Sequence, residues 1–169
     1  MSDAKFTPIR TLRKLVMLEE GVDRNLTILI AEDNPDYAMF LEGAVRETGR
    51  ANPVHVVADG EEVISYLEGS GKYSNRTVFA FPSVLFLDLK MPGTDGFGVL
   101  RWMRQNPDYR VIPTLVLSSS ALEMDVKLAY VLGASAYLEK PADLKVLKEI
   151  VQDACKFWGS CVKPEPPKG

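Results

Sequence analysis

The sequence predicts a doubly wound α/β fold, a five-stranded parallel sheet with helices on both faces. Two observations carry this. Short apolar runs of strand length alternate with amphipathic runs of helix length, giving five βα units. The runs also end alike: Ile28-Leu29-Ile30-Ala31 stops at Glu32-Asp33, Val84-Leu85-Phe86-Leu87 at Asp88, Leu115-Val116-Leu117 at Ser118, and Ala136-Tyr137-Leu138-Glu139 at Lys140-Pro141. Right-handed crossovers bring all carboxyl ends of parallel strands to one rim. In open α/β sheets that rim is where ligands bind.

The elements follow in order. Thr27 to Ala31 reads as the first strand. Asp36 to Thr48 reads as a helix, with Met39, Phe40, Ala44 and Val45 on one stripe and Asp36 as its cap after Pro35. Val54 to Ala58 is the second strand, and Gly60 to Leu67 a helix that Asp59 caps. Residues 69–81 break the alternation and read as a surface loop. Val84 to Leu87 is the third strand. A helix from about Asp95 carries Phe97, Leu100, Trp102 and Met103 and stops before Pro107. Thr114 to Ser118 is the fourth strand, and Glu123 to Leu132 a helix stopped by Gly133. Ala136 to Glu139 is the fifth strand. The last helix runs from about Asp143 to Trp158, with Leu144, Leu147, Ile150, Val151, Ala154 and Trp158 at helical spacing.

Length and composition bound the function. A chain of 169 residues with 46% hydrophobic content suits one domain, here residues 25–159, with short extensions. Residues 1–24 carry Ile9, Leu12, Leu15 and Val16 beside Arg10, Arg13 and Lys14, the pattern of a short basic amphipathic helix. Residues 160–169 read as a disordered tail. A net charge of −3 gives no global attraction to nucleic acid or anionic membrane. No apolar stretch approaches the ~20 residues of a membrane span, and Met1 to Arg10 lacks a signal-peptide core, so the expected location is cytoplasmic. Cys155 and Cys161 fit no metal spacing and read as reduced thiols. His55, the single histidine, opens a strand and reads as half-exposed.

The rim residues carry the chemistry. Clustered acids repel unless a cation offsets them. Magnesium prefers oxygen ligands, few carboxylates and several waters. Asp33 and Asp88 as direct ligands, Glu32 through water and the Lys90 backbone carbonyl meet that demand. Lys140 is placed to pair with a carboxylate or phosphoryl oxygen, and Ser118 to donate a hydrogen bond to the same oxygen. Alone, each has a plain alternative: a capping acid pair, a turn serine, a solvated lysine, and for Tyr137 an ordinary strand aromatic.

Taken together the motifs resemble the receiver domains of bacterial two-component response regulators. Glu32-Asp33-Asn34-Pro35-Asp36 is similar to the family's acidic pair, and Leu87-Asp88-Leu89-Lys90-Met91-Pro92-Gly93 to its phosphoacceptor motif. Leu117-Ser118-Ser119-Ser120 and Tyr137-Leu138-Glu139-Lys140-Pro141 are similar to its two later signatures. The match covers about Leu26 to Trp158. The resemblance implies a flavodoxin-like strand order 2-1-3-4-5. It implies that Asp88 accepts a phosphoryl group from a sensor histidine kinase, with Mg2+ on Glu32 and Asp33. It further implies that Ser118 and Tyr137 form a switch pair and that Lys140 senses the phosphoryl oxygen. Asn34-Pro35-Asp36, the run from His55 to Gly60, the longer segment before the third strand and Phe157-Trp158 resemble stand-alone regulators associated with phytochrome-type photoreceptors. Those relatives imply a homodimer through the face of the fourth helix, fifth strand and fifth helix. The leader departs from the pattern.

Rivals fare worse. A haloacid-dehalogenase-like phosphatase needs a second Asp where Lys90 stands. Gly71-Lys72-Tyr73 lacks the hydroxyl of a P-loop, and Gly96-Phe97-Gly98 the third Gly of a dinucleotide loop. Too few residues follow the last helix for a helix-turn-helix. The expected protein is therefore no enzyme beyond its own phosphorylation and dephosphorylation. The alternative is a pseudo-receiver, a binding module that signals without phosphorylation.

Overall fold

The structure, a computed structural model, describes residues 26–49 and 53–165. The extension expected at residues 1–24 lies outside them, as do residues 166–169 of the expected tail. In chain order the elements are β1 (Ile28–Ala31), α1 (Pro35–Arg46), β2 (Val54–Val57), α2 (Gly60–Glu68), β3 (Val84–Asp88), α3 (Gly96–Gln105), β4 (Thr114–Ser118), α4 (Glu123–Val131), β5 (Ala136–Glu139) and α5 (Leu144–Gly159). The sheet has the order β2-β1-β3-β4-β5, as expected, and every pairing is parallel.

Strand periodicity divides the core. Alternate residues point to opposite faces. Leu29, Ala31, Leu85, Leu87 and Val116 pack under α2 and α3 through Val63, Tyr66, Leu67, Val99, Leu100 and Met103. Ile28, Ile30, Val84, Phe86, Leu115 and Leu117 pack under α1 and α5 through Leu41, Ala44, Val45, Leu147 and Val151. The central strands β1, β3 and β4 are buried along their whole length, whereas β2 and β5 are partly exposed. A strand covered on both faces is the reason for the unbroken apolar runs. Register sets the rim. Leu87 pairs with Ala31 and Val116, and Ser118 with Glu139, so the residues that follow these strands emerge side by side.

The helices start where short polar side chains accept their free amide groups. Asp59 Oδ1 accepts from Glu62 N at 2.7 Å, and Glu62 Oε2 reaches back past the cap to accept from Ala58 N at 3.1 Å. Asp95 and Asp143 cap α3 and α5. At α1 the expectation is corrected. Asn34 caps the helix, accepting from Asp36 N and Tyr37 N at 3.0 Å, and Asp36 lies inside the first turn. Pro35 fits there because an N1 residue needs no amide donor. Past α5, Ser160 Oγ donates to Lys156 O at 2.9 Å and Cys161 Sγ to Phe157 O at 3.3 Å.

A second correction concerns residues 69–81, which are not a plain surface loop. A 3-10 turn, Gly71–Tyr73, buries Tyr73 against Tyr66 and Phe79. Arg76 folds back and donates to the carbonyls of Tyr66, Leu67 and Phe79. It thereby satisfies the orphan carbonyls at the end of α2. Aromatic and arginine side chains, sparse in the sequence, close this layer over β2. His55 is half-buried within it, 5.4 Å from the Tyr66 ring and 5.3 Å from the Phe79 ring.

Burial holds the His55 imidazole below its ordinary value of 6.5. As pH falls, the unfolded chain therefore takes up this proton before the folded protein does. The stability tied to His55 is complete above about pH 6.5 and drains as pH falls through the folded value. Urea unfolding at pH 7.5 and 5.5 should show a loss for the parent that is smaller in His55→Phe. An equal loss in both would show that other groups carry it.

Candidate functional site

Four side chains meet at the carboxyl edge of the sheet. Glu32 follows β1 and Asp88 ends β3, and both are buried, at 3% and 6% exposure. Asp33 is exposed. Lys140 follows β5, and its amide donates to Ser118 O at 2.7 Å, which fastens that turn to the end of β4. Its side chain crosses the rim. Lys140 Nζ lies 2.7 Å from Glu32 Oε2 and 2.8 Å from Asp88 Oδ2.

Each acid is held at its other oxygen by backbone. Glu32 Oε1 accepts from Asn34 N at 3.2 Å, and Asp88 Oδ1 accepts from Lys90 N at 3.1 Å. Burial pushes the Glu32 carboxyl above its ordinary range, and Lys140 pulls it part of the way back. The Tyr37 ring, from the first turn of α1, lies beneath the ammonium, with Nζ 4.4 Å from its centroid. Burial, aided by the charges of Glu32 and Asp88, pushes the Tyr37 phenol up to about 12.

One oxygen from each of Glu32, Asp33 and Asp88 lies within 4.8 Å of the others. This donor set suits a hard divalent cation: all ligands are oxygen, and the exposed side of Asp33 leaves room for coordinated water. A buried carboxylate whose oxygens are already aimed is also a suitable nucleophile for a phosphoryl group, with an ammonium beside it to offset the charge that arrives.

Ser118 and Tyr137 stand one step back. Ser118 is fully buried, and its Oγ accepts from Ser120 N at 3.2 Å. Tyr137 donates from its hydroxyl to Ser120 O at 2.8 Å. Both predicted switch residues thus meet at Ser120 and not at each other. Ser120 Oγ in turn donates to Asp125 Oδ2 at 2.5 Å, in the first turn of α4. Of the residues named from the sequence, Glu32, Asp33, Asp88 and Lys140 are brought together directly. Lys90 joins through its amide to Asp88.

Several contributors escaped the sequence reading. Tyr37, in the first turn of α1, had no local signal. Glu61 had none either. Its carboxylate reaches across from α2 to accept from Thr94 N at 3.0 and 3.1 Å and from Thr94 Oγ1 at 2.7 Å. Those bonds clasp the loop between β3 and α3 beside the acidic cluster. Glycines permit the approach. A Cβ on Gly60 would lie 2.2 Å from Thr94 O, and one on Gly96 would lie 2.4 Å from Asp88 O.

Comparison with known proteins places this site in context. Residues 28–152 match the response regulator receiver domain. The chain is 33% identical over 131 residues to response regulator Rcp1 of Synechocystis sp., covering 78% of this chain and 87% of that protein. It is 31% identical over 134 residues to the probable methanogenesis regulatory protein FilR2 of Methanothrix harundinacea, with 78% and 82% covered. Among solved structures, it matches the phosphorylated cyanobacterial phytochrome response regulator RcpA with a TM-score of 0.77 at 32% identity, covering 83% of this chain and 99% of that one. The Mn(2+)-bound form of Rcp1 matches with a TM-score of 0.75 at 31% identity and the same coverage.

Gly96→Ala tests the close packing under Asp88. The added methyl meets backbone, which cannot swing aside, so the variant should lose about 2 kcal/mol of stability in urea unfolding. A variant as stable as the parent would show that the loop yields easily.

Proposed function

The chain belongs to the family of response regulator receiver domains, and from that membership we propose that it is a single-domain response regulator that takes a phosphoryl group on Asp88. In this reading residues 25–159 form the receiver unit, with residues 1–24 and 160–169 as extensions. One observation carries it: the Asp88 carboxylate, buried at a strand end, shares the Lys140 ammonium with Glu32 and lies in one cluster with Asp33.

The donor is the phosphohistidine of a sensor histidine kinase. An Asp88 oxygen attacks phosphorus in line with the leaving imidazole nitrogen. The O–P bond forms as the P–N bond breaks, and the imidazole takes up a proton. The electron pair of the broken bond stays on the imidazole. Lys90 N holds one Asp88 oxygen, and Lys140 offsets charge beside the other. Asp33, Asp88 and the Lys90 carbonyl, with Glu32 through water, would hold magnesium, which would supply further charge neutralisation. Similarity to RcpA and Rcp1 supports a phytochrome-type photoreceptor as the kinase, and a cytoplasmic location for the pair belongs to the same reading.

The response travels through Ser120. A phosphoryl oxygen on Asp88 draws the Ser118 hydroxyl from its bond with Ser120 N. The loop after β4 shifts, and with it the acceptor of the Tyr137 hydroxyl and the partner of Asp125. Helix α4 is the element that can follow. It starts without a side-chain cap and buries one residue, Ala129, while Leu122 and Met124 stand 67% and 82% exposed at its start. The face formed by α4, β5 and α5 is thus the surface that changes, for a partner or a second copy.

Intact mass after incubation with acetyl phosphate and magnesium should show one added phosphoryl group in the parent and none in Asp88→Asn. Labelling of Asp88→Asn would place the acceptor elsewhere. Failure of the folded parent to label, with candidate kinases as well, would favour the pseudo-receiver. Lys140→Ala should still label, yet lose the conformational response, read as amide shifts on α4 and β5. Sedimentation should show a larger dimer fraction with beryllofluoride than without, and a monomer in both states would remove the dimer.

A further inference from the structure

We propose that Tyr37 is a positioning residue, an aromatic platform that holds the Lys140 ammonium between Glu32 and Asp88. The inference deepens the reading of Asp88 as phosphoacceptor and rests on it for its functional consequence.

The geometry has three sides. Glu32 Oε2 and Asp88 Oδ2 hold Nζ at 2.7 and 2.8 Å, and the Tyr37 ring closes the third side at 4.4 Å. That separation is well inside the roughly 6 Å over which a cation is drawn to an aromatic face. The attraction strengthens where water is excluded, and the Lys140 side chain is only 15% exposed. A lysine stem has four rotatable bonds, so two acids alone leave its path across the rim loosely defined. A further acid in place of the ring would add a third negative charge to a buried pair. A base would repel the ammonium. A neutral aromatic face holds the cation without changing the charge of the site.

Tyr37 is itself held by its backbone amide and by the packing of its ring. Asn34 Oδ1, which caps α1, accepts directly from Tyr37 N at 3.0 Å. The ring packs on the core layer beneath α1 and α5. Its hydroxyl is buried, with no hydrogen-bond partner. Neither packing nor the platform uses that oxygen, since a phenyl ring fills the space and presents the same face. The face of the ring is what Lys140 uses, so Tyr37→Phe keeps the platform and Tyr37→Leu removes it.

The first test is spectroscopic and needs no phosphorylation. In protein labelled at the lysine ε-methylene, the ring should move the Lys140 proton signals upfield, with Lys140→Met supplying the assignment. Tyr37→Phe should retain the displacement and Tyr37→Leu abolish it. Undisplaced signals in the parent, or signals unchanged in Tyr37→Leu, overturn the platform.

The second test is a double-mutant cycle on the rate of labelling by acetyl phosphate with magnesium. Tyr37→Leu should slow labelling about fivefold in the parent and leave the rate unchanged in a Lys140→Met background. Equal slowing in both backgrounds overturns the proposal, because a merely structural tyrosine acts whether or not Lys140 is present. Tyr37→Phe, which leaves the packing intact, should label at the parental rate, and a fivefold slower Phe variant would also count against a role for the ring face. If the parent itself takes up no phosphoryl group, the phosphoacceptor reading fails, and the spectroscopic test alone decides for or against the platform.

Discussion

Two acids buried at the ends of neighbouring central strands share one ammonium, and the rest of the rim is arranged to make that arrangement tolerable. Glu32 and Asp88 at 3% and 6% exposure would each carry a large desolvation cost. Lys140 spans both, and the opposite oxygens take backbone amides from Asn34 and Lys90. A buried ion pair of this kind is seldom retained for stability, since apolar groups of similar volume often serve as well or better. Its retention here makes sense as chemistry held ready. The acids are aimed, partly desolvated and available to a cation or to phosphorus, at some cost in folding free energy.

That readiness depends on backbone placed close to backbone. The loop between β3 and α3 turns back so that Gly96 N donates to Leu89 O at 3.1 Å. Glu61 fastens the same loop to α2 through Thr94. Two glycines, Gly60 and Gly96, leave the space that these approaches need. The acidic cluster therefore sits on a rigid cradle. Rigidity of this sort is what allows a small change at Asp88 to be felt as displacement elsewhere and not absorbed locally.

The opposite demand falls on α4. Helices α1, α2, α3 and α5 each bury several residues, but α4 buries one and begins without a side-chain cap. Ser120 stands between the two regimes. Its amide touches Ser118, its carbonyl takes the Tyr137 hydroxyl, and its hydroxyl holds Asp125. One residue thus joins the strand that ends beside Asp88 to the least anchored helix and the outer strand. Leu122, just before that helix, and Met124, in its first turn, leave apolar surface in water, which a partner face would cover.

Much of this was legible in the chain. Unbroken apolar runs ending in acids, a serine and a lysine announced parallel strands and a shared rim, because strand burial and crossover handedness are local and general constraints. The cap Asp59 and the helix start near Asp95 could be read for the same reason, and Asn34 was missed only because Asp36, two residues on, competes for the same role. The packed layer over β2 could not be read. Tyr73, Phe79 and Arg76 are scattered among polar residues without a period, and only the fold brings them to Tyr66 and His55. Glu61 and Thr94, Lys140 and Tyr37, and Tyr137 and Ser120 lie in the same class. Sequence by itself determined which residues reach the rim, since periodicity and strand ends are short-range properties. Tertiary structure alone decided which of them touch, since a side-chain contact across the rim depends on distances between separate loops that no local pattern encodes.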